Sequence, residues 1–287
     1  MATGNITTTT AAVFLPALWS METQRAAEAA LVTAPLVKRF DSMVKERGQV
    51  IHIPKVSNLS ARAKAANTDV TFETITESEA TITINNHYYA AFAVEDIVKV
   101  QSNYDLMAEY TSKSGYAVAQ KIDTDLLAQY SNFTNSVGTY GTDITDSTIV
   151  SAIQYLNQAN APMEDRAFVI APSQLAAIMK IDKFTSASYL GRFNESSPVT
   201  KGPNSRYLWG EIYGIPVYYT TQVPVTVASP NQTNNILIHK EALALALQQA
   251  PRTQAQYYNT ALAWKVTVDA IYGLTTYRAD FGVTVKS

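Results

Sequence analysis

Three histidines, His52, His87 and His239, are the first residues to weigh for chemistry, because imidazole titrates near neutral pH and ligates metals. Each falls within or beside a strand-like pattern. None has a second histidine or a carboxylate at the spacing a metal site needs. Ser173, in "IAPSQL", follows a short apolar run and opens a helical segment, as a nucleophile on a strand-to-helix turn would. It lacks flanking glycines, and Pro172 before it suits a first helical turn, so the sequence reads as a helix start. Asp123 and Asp125 lie two residues apart on a helical stretch and do not share a face. They make a poor acid/base pair and read as solvated or interface charge. Asp143 and Asp146 sit among turn residues and read as turn and cap. No glycine-rich loop leads into Lys-Ser/Thr, and no dinucleotide fingerprint is present. With no nucleophile, base and oxyanion site to assemble, the expectation is a protein that is not an enzyme and uses no cofactor and no metal.

Composition points away from the water-facing enzyme and toward association. Of 287 residues, 47% are hydrophobic and only 16% charged, against a usual charged share of about 25%. A sparsely charged surface is one that copies or partners tend to cover. The net charge of −2 does not fit a surface built to neutralise nucleic-acid phosphates. The absence of cysteine excludes disulfides and thiolate metal sites. No basic residue precedes Arg25, so the charged start of a secretory signal is missing. The apolar stretch from Ala11 to Trp19 is far shorter than the ~20 residues that span a bilayer. A soluble protein made and kept in the cytoplasm, without a membrane partner, is expected.

The elements that would position these residues are unusually long. After the threonine-rich start "MATGNITTTT", Met21 to Arg47 has helical spacing, interrupted at Pro35. "GQVIHIPKV" reads as a strand whose Pro54 belongs at an edge. A polar loop, "SNLSARAKAANTD", comes next. The chain returns through "VTFETIT", turns near Glu77-Ser78-Glu79, and enters a clean alternation. Ile82, Ile84, Tyr88, Ala90, Phe92 and Val94 share one face, with Asn86 among them. A strand from Thr81 to Val94 would be about 45 Å long at about 3.3 Å per residue. An isolated hairpin is marginal, so the ribbon needs a further surface and is expected to reach beyond its own domain. The period then changes. Met107, Tyr110, Val118, Ile122, Leu126, Tyr130 and Phe133 form the stripe of a helix of about 30 residues, opened by a capping pair Ser102 and Asp105. A compact α/β region succeeds the linker from Gly138 to Thr145: Asp146 caps a helix, "RAFVI" is a short buried strand, and Pro172 opens another helix. "GEIYGIPVYYTTQVP" is a broken strand in which Gly214 and Pro216 shape a turn. "NILIHKEALALALQ" reads as a strand leading into a short helix, and the remainder as two or three strands.

Seven segments in this order resemble the major capsid proteins of tailed double-stranded DNA bacteriophages, which share the Hong Kong 97-type fold. They are "LPALWSMETQ", "ERGQVIHIPKV", "FAVEDIVKVQSNYDLMAEYTSKSGYAVAQKIDTDLL", "RAFVIAPSQLAAIMKIDKF", "GEIYGIPVYYTTQVP", "ILIHKEALALA" and "VDAIYGLTTYRADFGVTVK". The resemblance covers nearly the whole chain. It implies an α+β subunit with an N-terminal arm (1–47), an extended β-hairpin E-loop (48–95), a peripheral domain with a long spine helix (96–137), an axial α/β domain (138–247) and C-terminal strands returning to those domains (248–287). It also implies a homo-oligomer of hexamers and pentamers that closes an icosahedral shell around packaged DNA. A scaffolding protein, a portal and a decoration protein are the further partners implied, with assembly in the host cytoplasm and residence in the virion. An encapsulin-like cellular compartment is the alternative on the same fold. A hydrolase or carbohydrate-binding protein using the 17 tyrosines is the alternative from another class. The inter-subunit contacts expected are Trp19 in the arm, Arg62 and Lys64 in the E-loop, Tyr88 and Phe92 on the ribbon, and Tyr218 and Tyr219 on the axial strand. Lys64 also lies in the loop where some relatives form a Lys–Asn crosslink. No partner asparagine or acidic catalyst is identified here, so that activity is not carried over.

Overall fold

The computed structural model describes residues 32–44, 49–55, 59, 61–64, 66–70, 72, 74, 78–96, 106–181, 208–227, 229 and 231–287. Trp19, the capping pair Ser102 and Asp105, and the loop at 186–206 lie outside the described residues. In chain order, a 3-10 turn (Ala34–Leu36), strand β1 (Lys38–Arg39) and a second 3-10 turn (Asp41–Met43) precede β2 (Val50–Lys55) and β3 (Ser78–Glu95). Helix α1 (Leu106–Ala128) runs into a 3-10 turn and then β4 (Asn135–Gly138). Helix α2 (Asp146–Gln158), β5 (Arg166–Ile170) and α3 (Pro172–Ile178) are next. The rest is β6 (Leu208–Ile212), β7 (Ile215–Tyr219), β8 (Val225–Thr226), β9 (Gln232–His239), β10 (Leu243–Tyr258), β11 (Ala263–Thr276) and β12 (Gly282–Lys286).

These strands make two sheets. A five-stranded sheet has the order β1-β10-β11-β3-β2, and a seven-stranded one the order β4-β12-β9-β5-β7-β6 with β8 added to β9. The first is built from the long strands β3, β10 and β11, of 18, 16 and 14 residues. Its far part is narrow. Beyond Thr83, β3 pairs with β11, whereas Ser78 to Thr83 pair with β2 alone. Pro54 lies on that edge strand, opposite Glu79, where a missing N–H costs the sheet nothing.

One core joins the two sheets. Ile122, Leu126 and Leu127 of α1 meet Phe168 and Ile170 of β5, Ile236 and Ile238 of β9, Leu245 of β10 and Tyr272 of β11. Burial on both faces explains why β5 and β9 read as near-continuous apolar runs. Two smaller clusters flank this core. Val118 of α1 packs on Val268 and Ala270 of β11, while Phe40, Val44, Ile51, Ile82, Ile84, Ala244 and Ala246 pack together elsewhere.

Several sequence expectations are corrected here. The alternating face of β3 is not one surface. Ile82 and Ile84 belong to the cluster with Phe40 and Val44, while Ala90 belongs to the one beneath Val118. The division falls at a register shift where Asn86 faces Tyr272 and Ile84 faces Gly273. From Asn86 to Glu95 the strand therefore pairs with β11, and its first part, from Ser78 to Thr83, forms a two-stranded ribbon with β2. The described part of the predicted N-terminal helix, residues 32–44, holds two 3-10 turns and a strand. Pro35 sits in the first of these turns, where its fixed φ is accepted and helix continuation is not. The helix predicted after "NILIH" is β10, in which Leu243, Leu245 and Leu247 alternate with alanines at a period of two. Thr145, not Asp146, is the N-cap of α2, its hydroxyl accepting from the Thr148 amide at 3.4 Å.

Candidate functional site

The hairpin that interrupts the sequence at Gly214 is a two-residue turn. Ile212 pairs with Ile215, and Tyr213 and Gly214 between them have φ of 52° and 75°. Two consecutive left-handed residues match the twist of the flanking strands, and glycine adopts that conformation without strain. Pro216 is not part of the turn, as expected from sequence, but pairs with Glu211 inside the hairpin. Tyr218 and Tyr219 are partly buried against the main core. Burial, and then the neighbouring carboxylate of Glu211, push the Tyr218 hydroxyl above its usual range. Tyr218 lines an open groove of about 290 Å³ with Pro35, Arg166, Pro216 and Lys240.

Tyr88 and Phe92 turn toward α1 of their own subunit. The Tyr88 ring stacks on Tyr272 with centroids 6.0 Å apart, and the Phe92 ring meets Tyr110 at 5.6 Å. Lys121 of α1 lies over the Tyr88 ring at 4.8 Å and donates to Asp125 at 2.6 Å. Tyr272 donates to the other oxygen of Asp125 at 2.7 Å. Burial and that carboxylate raise the Tyr272 hydroxyl far out of its ordinary range. This network fastens helix to sheet. It is polar packing, and its residues are occupied with each other.

Arg62 and Lys64 lie exposed in the stretch between β2 and β3. The same stretch presents apolar side chains to solvent: Leu59, Val70 and Phe72 are 67%, 61% and 94% exposed. The described residues of this stretch thus present cations and bare hydrophobic groups to solvent.

The candidate catalytic residues lie apart from one another. His52 meets Glu79 at 3.1 Å and His87 meets Asp269 at 3.2 Å, both on the five-stranded sheet. His239 accepts from the Glu241 amide at 3.2 Å and packs edge-on against Phe281. Ser173 is exposed in the first turn of α3. Among the described residues no three His, Cys, Asp or Glu side chains cluster as metal ligands, and no helix is long and apolar enough to cross a membrane.

Asp123 departs most from its sequence reading. It is not solvated but only 1% exposed. Its carboxylate accepts three successive amides, from Val32 at 3.1 Å, Thr33 at 2.8 Å and Ala34 at 3.0 Å. Burial pushes its carboxyl above the usual carboxylate range, while the amide bonds pull the other way. A signal of its burial was present in the sequence. Asp123 stands three and four residues before Leu126 and Leu127, on the helix face that meets the core.

The paired sheets and the long helix have counterparts among solved structures. A structure from Mycobacterium phage Che8 is similar with a TM-score of 0.78 and 23% identity, over 95% of this chain and 97% of that one. The capsid of Cyanophage P-SCSP1u is similar at 0.74 and 16% identity, over 96% and 93%. The capsid of Ralstonia phage GP4 is similar at 0.69 and 12%, over 95% and 94%. The fold is the Hong Kong 97 type. A family model described as phage capsid protein matches residues 79–285, and the chain belongs to that family. No curated protein matches it. It is thus a major capsid protein whose copies form the shell of a virion, and the cellular compartment is not favoured.

Proposed function

We propose that this subunit assembles into hexamers and pentamers that close an icosahedral shell around packaged double-stranded DNA. The role is purely architectural, without a catalytic step. Scaffolding protein, portal and decoration protein would be its partners, with assembly in the host cytoplasm. The domain division expected from sequence is carried into this reading, with the seven-stranded sheet as the axial body and the five-stranded sheet with α1 as the peripheral one.

The observation that carries the proposal is the ribbon. Among the described residues β2 and the first six residues of β3 pair only with each other, and the stretch between them exposes Leu59, Val70 and Phe72. A two-stranded hairpin with bare apolar groups gains its stability from another surface. Part of that surface is its own subunit, where Ile51 and Ile82 pack with Phe40 and Val44; for the bare Leu59, Val70 and Phe72 it is, in a closed homo-oligomer, a sister subunit. In this reading Arg62 and Lys64 dock on the neighbour, with Trp19 of the arm and the outer edges of Tyr218 and Tyr219 as further contacts. Tyr88 and Phe92 contribute by holding α1 on the sheet that bears the ribbon.

Electron microscopy and light scattering of purified protein, with and without a co-expressed scaffold, test the proposal. Closed shells are expected, with nucleic acid inside particles isolated from infected cells. A persistent monomer under every condition would overturn it.

A further inference from the structure

We propose that Asp123 is the positioning residue for the N-terminal segment of the described chain: its carboxylate fixes where residues 32–41 join the subunit body, and so whether the subunit is held in the form that assembles. The first half of this inference stands on the subunit alone; the second rests on the shell reading.

Asp123 faces a set of donors that a helix-packing residue does not require. It is nearly fully buried on α1, and among the described residues its hydrogen-bond donors are backbone amides rather than a cation. It gathers those of Val32, Thr33 and Ala34. Three successive backbone N–H groups turned on one anion make a nest, the arrangement by which loops hold phosphate or carboxylate. A buried carboxylate without a cation is costly, and charge-assisted bonds to amides offset that cost only while the segment stays in place. An apolar residue at 123 would fill the helix face equally well, but it would leave three amides unsatisfied.

The segment shows why a fixed start matters. Val32 and Thr33 are wholly buried. The chain turns at once, with Leu36 donating to the Thr33 carbonyl. It then runs along β10, where Lys38 binds Glu241 at 2.6 Å and Asp41 accepts the Leu247 amide at 2.9 Å. Three carboxylates therefore secure residues 32–41. Glu241 and Asp41 hold the part that runs along β10, and Asp123 holds the N-terminal end. The Thr33 hydroxyl lies close enough to favour the charged carboxylate but makes no hydrogen bond of acceptable geometry.

Two variants of the full chain test this. Asp123→Asn keeps the volume but turns an amide group, part donor, toward three donors. The expected result is at least tenfold faster hydrogen exchange at Val32 to Ala34, unchanged protection in β5 and β9, and a several-fold fall in shell yield. The second variant joins Thr33→Cys to Asp123→Cys. The chain has no other cysteine, and the Asp123 side chain reaches the Thr33 amide at 2.8 Å; formation of the crosslink is established by mass spectrometry of the non-reduced protein before exchange is read. Oxidised, this protein should regain protection and shell yield without any charge at 123; reduced, it should lose both. Unchanged exchange at 32–34 in Asp123→Asn would overturn the anchor. An oxidised pair that protects the segment yet assembles no better than the reduced form would overturn the positioning role. If Asp123→Asn does not fold, the comparison of oxidised with reduced protein decides both questions. Wild-type protein that never forms shells would overturn the shell reading, and the anchor would then stand or fall on exchange alone.

Discussion

Two nearly buried aspartates are pushed in opposite directions by their surroundings. Asp269 accepts from Arg252 at 3.0 and 3.3 Å and from Gln249 at 3.1 Å, with His87 at 3.2 Å. The hydrogen bond from Arg252 is the main cause that holds its carboxyl below the ordinary value of 3.8, with burial opposing and His87 assisting. A depressed folded value means that the unfolded chain takes up the proton first as pH falls. The contribution of Asp269 is therefore complete above the ordinary carboxylate range and is lost as pH drops through the lower folded value. Asp123, raised by burial, works the other way: the folded chain keeps its proton longer, so stability declines as pH rises through the folded value. Replacing Asp269 with asparagine should lower the denaturation midpoint at neutral pH. The gap from wild type should then narrow as pH is reduced from about 6 to about 2. A gap independent of pH, measured by chemical denaturation, would show that the aspartate charge adds nothing. Neither set of partners was legible in the sequence. The groups that meet Asp269 lie 17 to 182 residues away, and only the fold brings them together.

At the scale of elements, strands and helices were legible where the pattern of side chains agreed with the element's composition, as in α1 and the apolar run of β5, and were misread where composition or register did not. Of the stripe read for α1, Val118, Ile122 and Leu126 are buried, but Tyr110 is exposed, and the helix ends at Ala128, short of Tyr130 and Phe133. The turn expected at Gly214 and Pro216 is present at Gly214, but its other residue is Tyr213 and Pro216 pairs within the strand. Leu243 to Leu247 failed because a buried central strand of alanine and leucine has the composition of a helix. The continuous face drawn along β3 failed at Gly273. There the register slips, and a Cβ added to Gly273 would stand 2.6 Å from the Thr83 carbonyl oxygen. That oxygen is backbone and cannot swing aside. Gly273→Ala should accordingly destabilise the subunit by about 2 kcal/mol, the usual cost of forcing a methyl into packed structure. The loss should appear as a lower Tm, with faster amide exchange concentrated where the ribbon leaves the sheet. A variant as stable as wild type would mean that β3 and β11 can part here without penalty, and that the ribbon is not rigidly rooted.

On the scale of the whole molecule, the ribbon carries the argument for assembly, and its cations can be tested apart from its fold. Arg62 and Lys64 are exposed, so reversing them opens no cavity in the core. Single surface ion pairs contribute roughly 0.2 to 1 kcal/mol, too little to hold two subunits alone. Reversal does more than remove a pair: it sets like charges against each other, and the effect recurs at every equivalent interface of a closed shell. A penalty of about 1.4 kcal/mol per contact is already a factor of ten in association. The double variant Arg62→Glu with Lys64→Glu should therefore keep the helix content and Tm of the wild-type subunit while its shell yield at low ionic strength falls by tenfold or more. Because exposed charges are screened within about 10 Å at 0.1 M salt, raising the salt should shrink the difference between the two proteins. The apolar contacts from Leu59, Val70 and Phe72 should persist, since burial of hydrocarbon does not depend on those charges. Shells of normal yield at low salt would assign the docking to the apolar side chains alone and leave the two cations without a part in it.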